Sequence, residues 1–246
     1  IATALTPECR NMIQLFFAMT EAGKGAGRPK DVPAASFTKI GVLGAGMMGA
    51  GIAYVTAMAG LDVVLLDMEQ AGADKGKAHA EELLKKRVSR RRMEKDAAEA
   101  TLARIHATTD FADLAGCEMV IEAVFEDRGV KADVTQKSLA VTGDDITFAS
   151  NTSTLPITGL AKASSRPDNF IGLHFFSPVD RMPLVEIIMG EGTSDETLAK
   201  AIDYVKAIRK TPIVVNDSRG FYTSRVFGTY VREGLALLAD GVSPAL

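Results

Sequence analysis

The sequence predicts an α/β fold in which a doubly wound, mostly parallel sheet is followed by the start of an all-α second domain. Three observations predict it. Short apolar runs recur at Ile40–Leu43, Val63–Leu66, Met119–Ala123, Ile146–Ser150 and Phe170–Phe175. Helix-favouring segments such as Met48–Ala59 and Lys131–Leu139 stand between them, and such alternation builds parallel sheets. After a turn at Asn216–Gly220, an amphipathic helical pattern carries Phe221, Val226, Phe227, Tyr230, Val231, Leu235 and Leu238 on one side.

Each element has its own signal. Thr6–Met19 reads as a helix, and Gly23–Pro33 follows it as a linker with three glycines and two prolines. Strand Ile40–Leu43, helix Met48–Ala59 and strand Val63–Leu66 form a βαβ unit with a glycine-rich first turn. A long polar, helix-favouring stretch covers Gln70–Arg104. Beyond the next three strands, Pro183–Met189 reads as another strand, Asp195–Ile208 as a helix that Ser194 caps, and Ile213–Val215 as the last strand. The expected organisation is a helix and linker over 1–35, a sheet domain over 36–217, and the opening of a helical domain over 218–246. Ile1 is not an initiator Met, and Ser243-Pro244-Ala245-Leu246 interrupts a helical region, so a piece of a longer protein is expected.

Composition excludes several classes. With 246 residues, 47% hydrophobic and 24% charged, the chain can bury a sizeable core and is not disordered. Twenty-eight Lys or Arg against 31 Asp or Glu give a net charge of -3, which argues against nucleic acid or an anionic membrane as partner. Cys9 and Cys117 provide neither a disulfide framework nor zinc spacing, and they suit a reducing compartment. The longest apolar stretch, Ile40–Leu66, is broken by seven glycines or charges, so no transmembrane segment is expected. No signal-peptide pattern opens the chain.

The segment Gly44-Ala45-Gly46-Met47-Met48-Gly49 has the dinucleotide-binding spacing directly after a strand and opening a helix. The first glycine permits the tight turn, the second lets backbone approach a pyrophosphate, and the third lets helix and strand pack closely. The helix N-terminus then offers N–H groups to phosphate. Asp67 ends the second strand 21 residues after Gly46, the distance expected of an acid that accepts the adenosine ribose hydroxyls. A carboxylate there repels a 2′-phosphate and favours NAD over NADP. These features make the expected sheet Rossmann-like.

The chain has three histidines. His79 lies in the polar helical stretch and reads as solvated, and His106 has no evident partner. His174 stands at the C-terminal end of its strand, where doubly wound sheets place ligands, and Glu186 lies 12 residues on, on a strand that a short connection folds back. Asn151-Thr152-Ser153 leaves a neighbouring strand at the same end and offers an amide and hydroxyls.

Taken in order, the runs Ile40–Ala53, Val120–Glu126, Ala149–Ser153, His174–Val179 with Leu184–Glu186, and Gly220-Phe221-Tyr222 resemble the L-3-hydroxyacyl-CoA dehydrogenase family. The resemblance is in particular to the dehydrogenase portion of fatty-acid oxidation multifunctional proteins, and runs from about Phe37 to Leu246. It implies NAD-dependent oxidation of (3S)-3-hydroxyacyl-CoA to 3-oxoacyl-CoA, with an acyl-CoA substrate, an upstream hydratase-like domain and a thiolase partner subunit. The implied location is the cytoplasm of a bacterium or the mitochondrial matrix of a eukaryote. Two other readings stand beside it: a related 3-hydroxybutyryl-CoA dehydrogenase, and an NAD-binding piece that is inactive because its second domain is truncated.

Roles follow from the resemblance residue by residue. His174 is the implied general base, Glu186 its orienting carboxylate, and Ser153 a donor to the reacting oxygen. Gly44, Gly46, Met47, Met48, Gly49, Asp67 and Asn151 are implied cofactor contacts. Glu126 and Lys131 match positions that contact the nicotinamide half, or are surface charges at a helix start. Where the family often has asparagine, this chain has Ser224, a shorter donor towards the substrate. Between Glu81 and Lys95 stand seven Lys or Arg and three Glu, either a solvated face or a coenzyme A phosphate site with Arg90 and Lys86 as its cations.

Overall fold

The eight strands form one sheet in the order β3-β2-β1-β4-β5-β6-β7-β8. The computed structural model describes residues 6–143 and 145–244, so expectations resting on Ile1, Ala245 and Leu246 lie outside the described residues. The strands are β1 Lys39–Leu43, β2 Asp62–Leu66, β3 Ile105–Thr108, β4 Met119–Glu122, β5 Thr147–Ser150, β6 Phe170–Phe175, β7 Leu184–Met189 and β8 Thr211–Asn216. Order reverses between β1 and β4, and every pairing is parallel except β6 with β7.

Helices cover both faces, as crossover connections require. They are α1 Pro7–Lys24, α2 Met47–Met58, α3 Gln70–Ser89, α4 Lys95–Ala103, α5 Arg128–Thr142, α6 Ile157–Leu160, α7 Asp195–Ala207 and α8 Thr223–Ala239. Because strand side chains alternate, the sheet feeds two cores. Val42, Leu65, Ile121, Leu173 and Ile187 pack with Ile52 of α2 and Ile202 of α7, while Leu43, Val120, Phe148 and Ile188 pack with Ile157 of α6 and with Phe221. The second core lies on the His174 face.

Two local differences from the sequence reading have physical causes. Ile105–Thr108 is a strand, but a half-exposed edge strand without an apolar run. The stretch Gln70–Arg104 holds two helices, parted near Arg91, whose φ of 54° is left-handed. No Gly or Pro marks that break.

The Gly23–Pro33 linker is clamped to the domain. Arg28 donates from Nε and Nη2 to the Asp203 carboxylate at 2.7 and 2.8 Å, and to the carbonyls of Pro29, Val32 and Pro33. The apolar residues of α8 are exposed, and none of its residues is buried. Among the described residues, no helix is long and apolar enough to cross a membrane.

Candidate active site

The switch point between β1 and β4 is where an open α/β sheet leaves a crevice for ligand. There Gly44 takes φ 87°, and a Cβ on it would lie 2.7 Å from the Ala123 carbonyl oxygen of β4's exit. A Cβ on Gly49 would stand 1.7 Å from the Gly44 carbonyl, so α2 starts against the loop at a distance only glycine allows. At Gly46, by contrast, a Cβ would meet nothing within 4 Å. The space above Gly46 is open where a pyrophosphate needs to approach.

The donors agree with that space. Asp127 and Ser194 cap α5 and α7 with side-chain oxygens, whereas Gly46 gives α2 no side-chain cap and its first turn holds no acid. The first N–H groups of α2, on Met47, Met48 and Gly49, therefore lack helical acceptors, as an anion-binding helix start requires. Asp67 stands beside them: its Oδ2 accepts the Ala45 N–H at 2.7 Å and its Oδ1 the Met68 N–H at 2.8 Å. Each oxygen keeps a lone pair for a ribose hydroxyl. On these grounds the residues present fit a dinucleotide.

His174 and Glu186 occupy directly opposed positions in the β6–β7 pair, which puts both side chains on one face. The His174 Nδ1 to Glu186 Oε2 distance is 2.7 Å. A carboxylate only accepts, so Nδ1 carries the proton and neutral His174 has its lone pair on Nε2. Among the described residues nothing bonds Nε2. The ring lies 4.5 Å from that of Phe176 and 6.0 Å from that of Phe221.

Glu186 is fully buried. Its Oε1 accepts the N–H groups of Tyr222 and Thr223 at 3.1 and 2.8 Å, and its Oε2 accepts the Thr223 hydroxyl at 2.7 Å. Burial acts to raise its pKa, but hydrogen bonds from His174 and Thr223 outweigh that and hold the carboxyl below the ordinary range. The sequence did not single out Thr223. What could have marked it is its place at a helix start, where N–H groups seek an anion.

Beside this pair lies the exit of β5. Asn151 Oδ1 accepts the Phe175 N–H at 2.9 Å, so its carbonyl ties the β5 exit to the β6 exit. Exposed Ser153 sits where its N–H reaches Glu126 Oε1 at 3.1 Å, and Thr152 donates its hydroxyl to the same oxygen at 2.5 Å. The turn after His174 approaches the glycine loop, with Ser177 Oγ 3.6 Å from Met47 Sδ. His174, the Ser153 turn and the glycine loop thus share one end of the sheet.

Other residues fall differently. Lys131 is 2% exposed, and its ammonium bonds both oxygens of Glu122 at 2.9 Å and Glu126 at 3.2 Å. It is a buried ion-pair member rather than a surface charge. Burial tends to raise the pKa of Glu126, yet Thr152 and Lys131 bring it below the usual value. Ser224 is half-buried in the first turn of α8. His79 is exposed, and His106, also exposed, has Asp113 at 3.1 Å from its Nε2. Arg90 and Lys86 line a cleft of about 520 Å³ together with Arg87, Arg92, Arg181 and Arg209. The Lys86 ammonium is already paired with Glu82 at 2.6 Å.

Comparison with known proteins agrees with the geometry. The profile of the 3-hydroxyacyl-CoA dehydrogenase NAD binding domain matches residues 39–218. The (S)-3-hydroxybutyryl-CoA dehydrogenase of Ralstonia eutropha is 38% identical at a TM-score of 0.82, the match covering 85% of this chain and 74% of that one. A 3-hydroxybutyryl-CoA dehydrogenase of Escherichia coli is 31% identical at 0.82, over 85% of this chain and 44% of its own. The dehydrogenase part of multifunctional enzyme 1 from C. elegans is 26% identical at 0.71, over 87% of this chain and 49% of its own.

Proposed function

The chain belongs to the 3-hydroxyacyl-CoA dehydrogenase family and carries its NAD-binding domain, and from that premise we propose that it oxidises (3S)-3-hydroxyacyl-CoA to 3-oxoacyl-CoA in fatty-acid β-oxidation. The observation that carries the reading is the His174–Glu186 pair, held by strand register at the ligand end of the sheet. When bound, NAD supplies the hydride acceptor. His174 Nε2 takes the proton of the 3-hydroxyl, and Glu186 keeps Nδ1 protonated and stabilises the imidazolium that forms. Ser153 donates a hydrogen bond to the same oxygen. Glu126 contacts the nicotinamide half, and Ser224 approaches the substrate from α8.

In this reading residues 1–35 join an upstream hydratase-like domain, 36–217 bind NAD, and 218–246 open the substrate domain. The Arg28 clamp supports the first boundary, because it fixes the connector to α7. Assembly with a thiolase subunit belongs to the same proposal.

Asp67 sets the cofactor preference. Losing hydrogen bonds to a charged acceptor costs about 1.5–3 kcal/mol, so Asp67→Ala is expected to weaken NADH about 10- to 100-fold. NADPH, which gains relief from repulsion, changes less. Fluorescence titration with both nucleotides reads the ratio, and an unchanged ratio removes Asp67 from this role.

For the acyl-CoA, the basic cleft supplies the cations. Its volume is in the range of small-molecule sites, and among the described residues Asp180 is its one acid and Arg87 Nε is buried without an acceptor. Asp180 and Arg181 belong to the loop that leaves His174, which connects cleft and base in the chain. Among the described residues Arg90 is the unpaired cation of the predicted pair, since Lys86 is held by Glu82.

The test is oxidation of NADH by acetoacetyl-CoA in the intact protein. Replacing Arg90 and Lys86 by Ala is expected to raise KM for acetoacetyl-CoA about tenfold, the loss of one charge-assisted hydrogen bond. KM for a short thioester without the nucleotide should hold. NADH binding without turnover would overturn the proposed activity, and equal effects on both thioesters would remove the cleft from coenzyme A recognition.

A further inference from the structure

At the switch point β4, apolar and buried through Met119, Val120 and Ile121, ends on a buried charge. Glu122 closes β4 at 1% exposure, in register with Leu43 on one side and Ser150 on the other. Lys131 Nζ bonds both its oxygens, Oε1 also accepts the fully buried Ser150 hydroxyl, and Oε2 accepts the Val124 N–H at 3.2 Å. Burial leaves the carboxyl above its ordinary pKa even with Lys131 against it. An apolar pair of similar volume would avoid that desolvation, so packing alone gives no reason for the charges.

What the charges add is reach. The Lys131 ammonium, held at Glu122, also bonds Glu126 Oε2, and the other oxygen of Glu126 gathers the Thr152 hydroxyl and the Ser153 N–H. We propose that Glu122 is a positioning residue: by fixing Lys131 it fixes Glu126, and through Glu126 the turn that presents Ser153. The route is a continuous series of charge-assisted hydrogen bonds from the base of the crevice to its rim. Without Glu122, the ammonium has only Glu126 to bond and draws that carboxylate away from the turn.

The inference rests on the role proposed for Ser153, and its test reads the turn itself so that the two can fail separately. Glu122→Gln preserves volume, but every partner of this carboxylate is a donor, so the new amide N–H₂ must oppose one of them. Amide exchange at Ser153 and Leu155, whose N–H groups bond Glu126 and Thr152, is expected to quicken about tenfold or more while Ile121 and Phe148 stay protected. In the intact protein, kcat with acetoacetyl-CoA and NADH should fall about tenfold at unchanged KM, the cost of a misplaced donor.

Glu122→Asp keeps the charge but draws it back by one methylene from Lys131, and should give a smaller change of the same pattern, which serves if Glu122→Gln does not fold. Unchanged exchange at Ser153 and Leu155 in a folded variant overturns the proposal, even with a lowered Tm. Faster exchange with unchanged kcat supports the tether and overturns the role given to Ser153.

Discussion

Replacing His174 by Gln is expected to lower kcat for NADH-dependent reduction of acetoacetyl-CoA by about 10²–10⁴-fold, the range of a lost general acid–base group. NADH affinity should change little, because His174 contacts neither the glycine loop nor Asp67. The imidazole is the only titratable group of the pair with an open nitrogen, since Glu186 is fully buried and saturated with donors. Gln cannot relay a proton, though its amide can still donate to Glu186. That spares most of the fold: Glu186 retains the Tyr222 and Thr223 N–H groups and the Thr223 hydroxyl, so Tm should drop modestly. The measurement is steady-state kinetics in the intact protein beside an NADH fluorescence titration. Full activity in the variant would end the case for His174 as the base.

Much of this site was legible in the sequence because it follows from fold rules. A strand–glycine turn–helix has one ligand end, and His174 and Ser153 leave their strands at that end. The return of β7 beside β6 could be read from the short connection between His174 and Glu186. Other features follow rules that sequence patterns do not display. Glu122 sits in an apolar run, Val120-Ile121-Glu122-Ala123, and a charge inside such a run is itself a signal that it is buried and paired. For Lys131 the sequence left a nicotinamide contact and a helix-start surface charge side by side, and its burial was not legible because its partner lies nine residues earlier on a strand, a contact no helical spacing announces. The clamp by Arg28 joins positions 175 apart in the chain and is visible only once α7 has folded against the sheet. Edge strand β3 lacks a buried run because only one of its edges is paired.

Glu186→Gln is expected to cost as much as losing the base, about 10³-fold or more in kcat, although the replaced atoms never touch substrate. The reason is in the count of donors. His174 Nδ1–H, the Thr223 hydroxyl and the Tyr222 and Thr223 N–H groups all point at one carboxylate. Gln offers one oxygen and an N–H₂. If the oxygen serves the two backbone N–H groups, the N–H₂ faces His174, which must then accept on Nδ1 and carry its proton on Nε2. In that tautomer the nitrogen that has to take the hydroxyl proton is already protonated. If the side chain turns over, two backbone donors at the start of α8 are left opposed to N–H₂, and the 221–223 turn has to move. Either way the base is lost or displaced. The wild-type carboxyl, held below its ordinary value, stabilises the fold above the ordinary carboxylate range, and that contribution disappears as pH falls through its lowered folded value. Acid unfolding of Glu186→Gln should accordingly depend less steeply on pH than that of the wild type. A variant with unaltered kcat and an unaltered acid transition would show that the carboxylate neither sets the tautomer nor anchors α8.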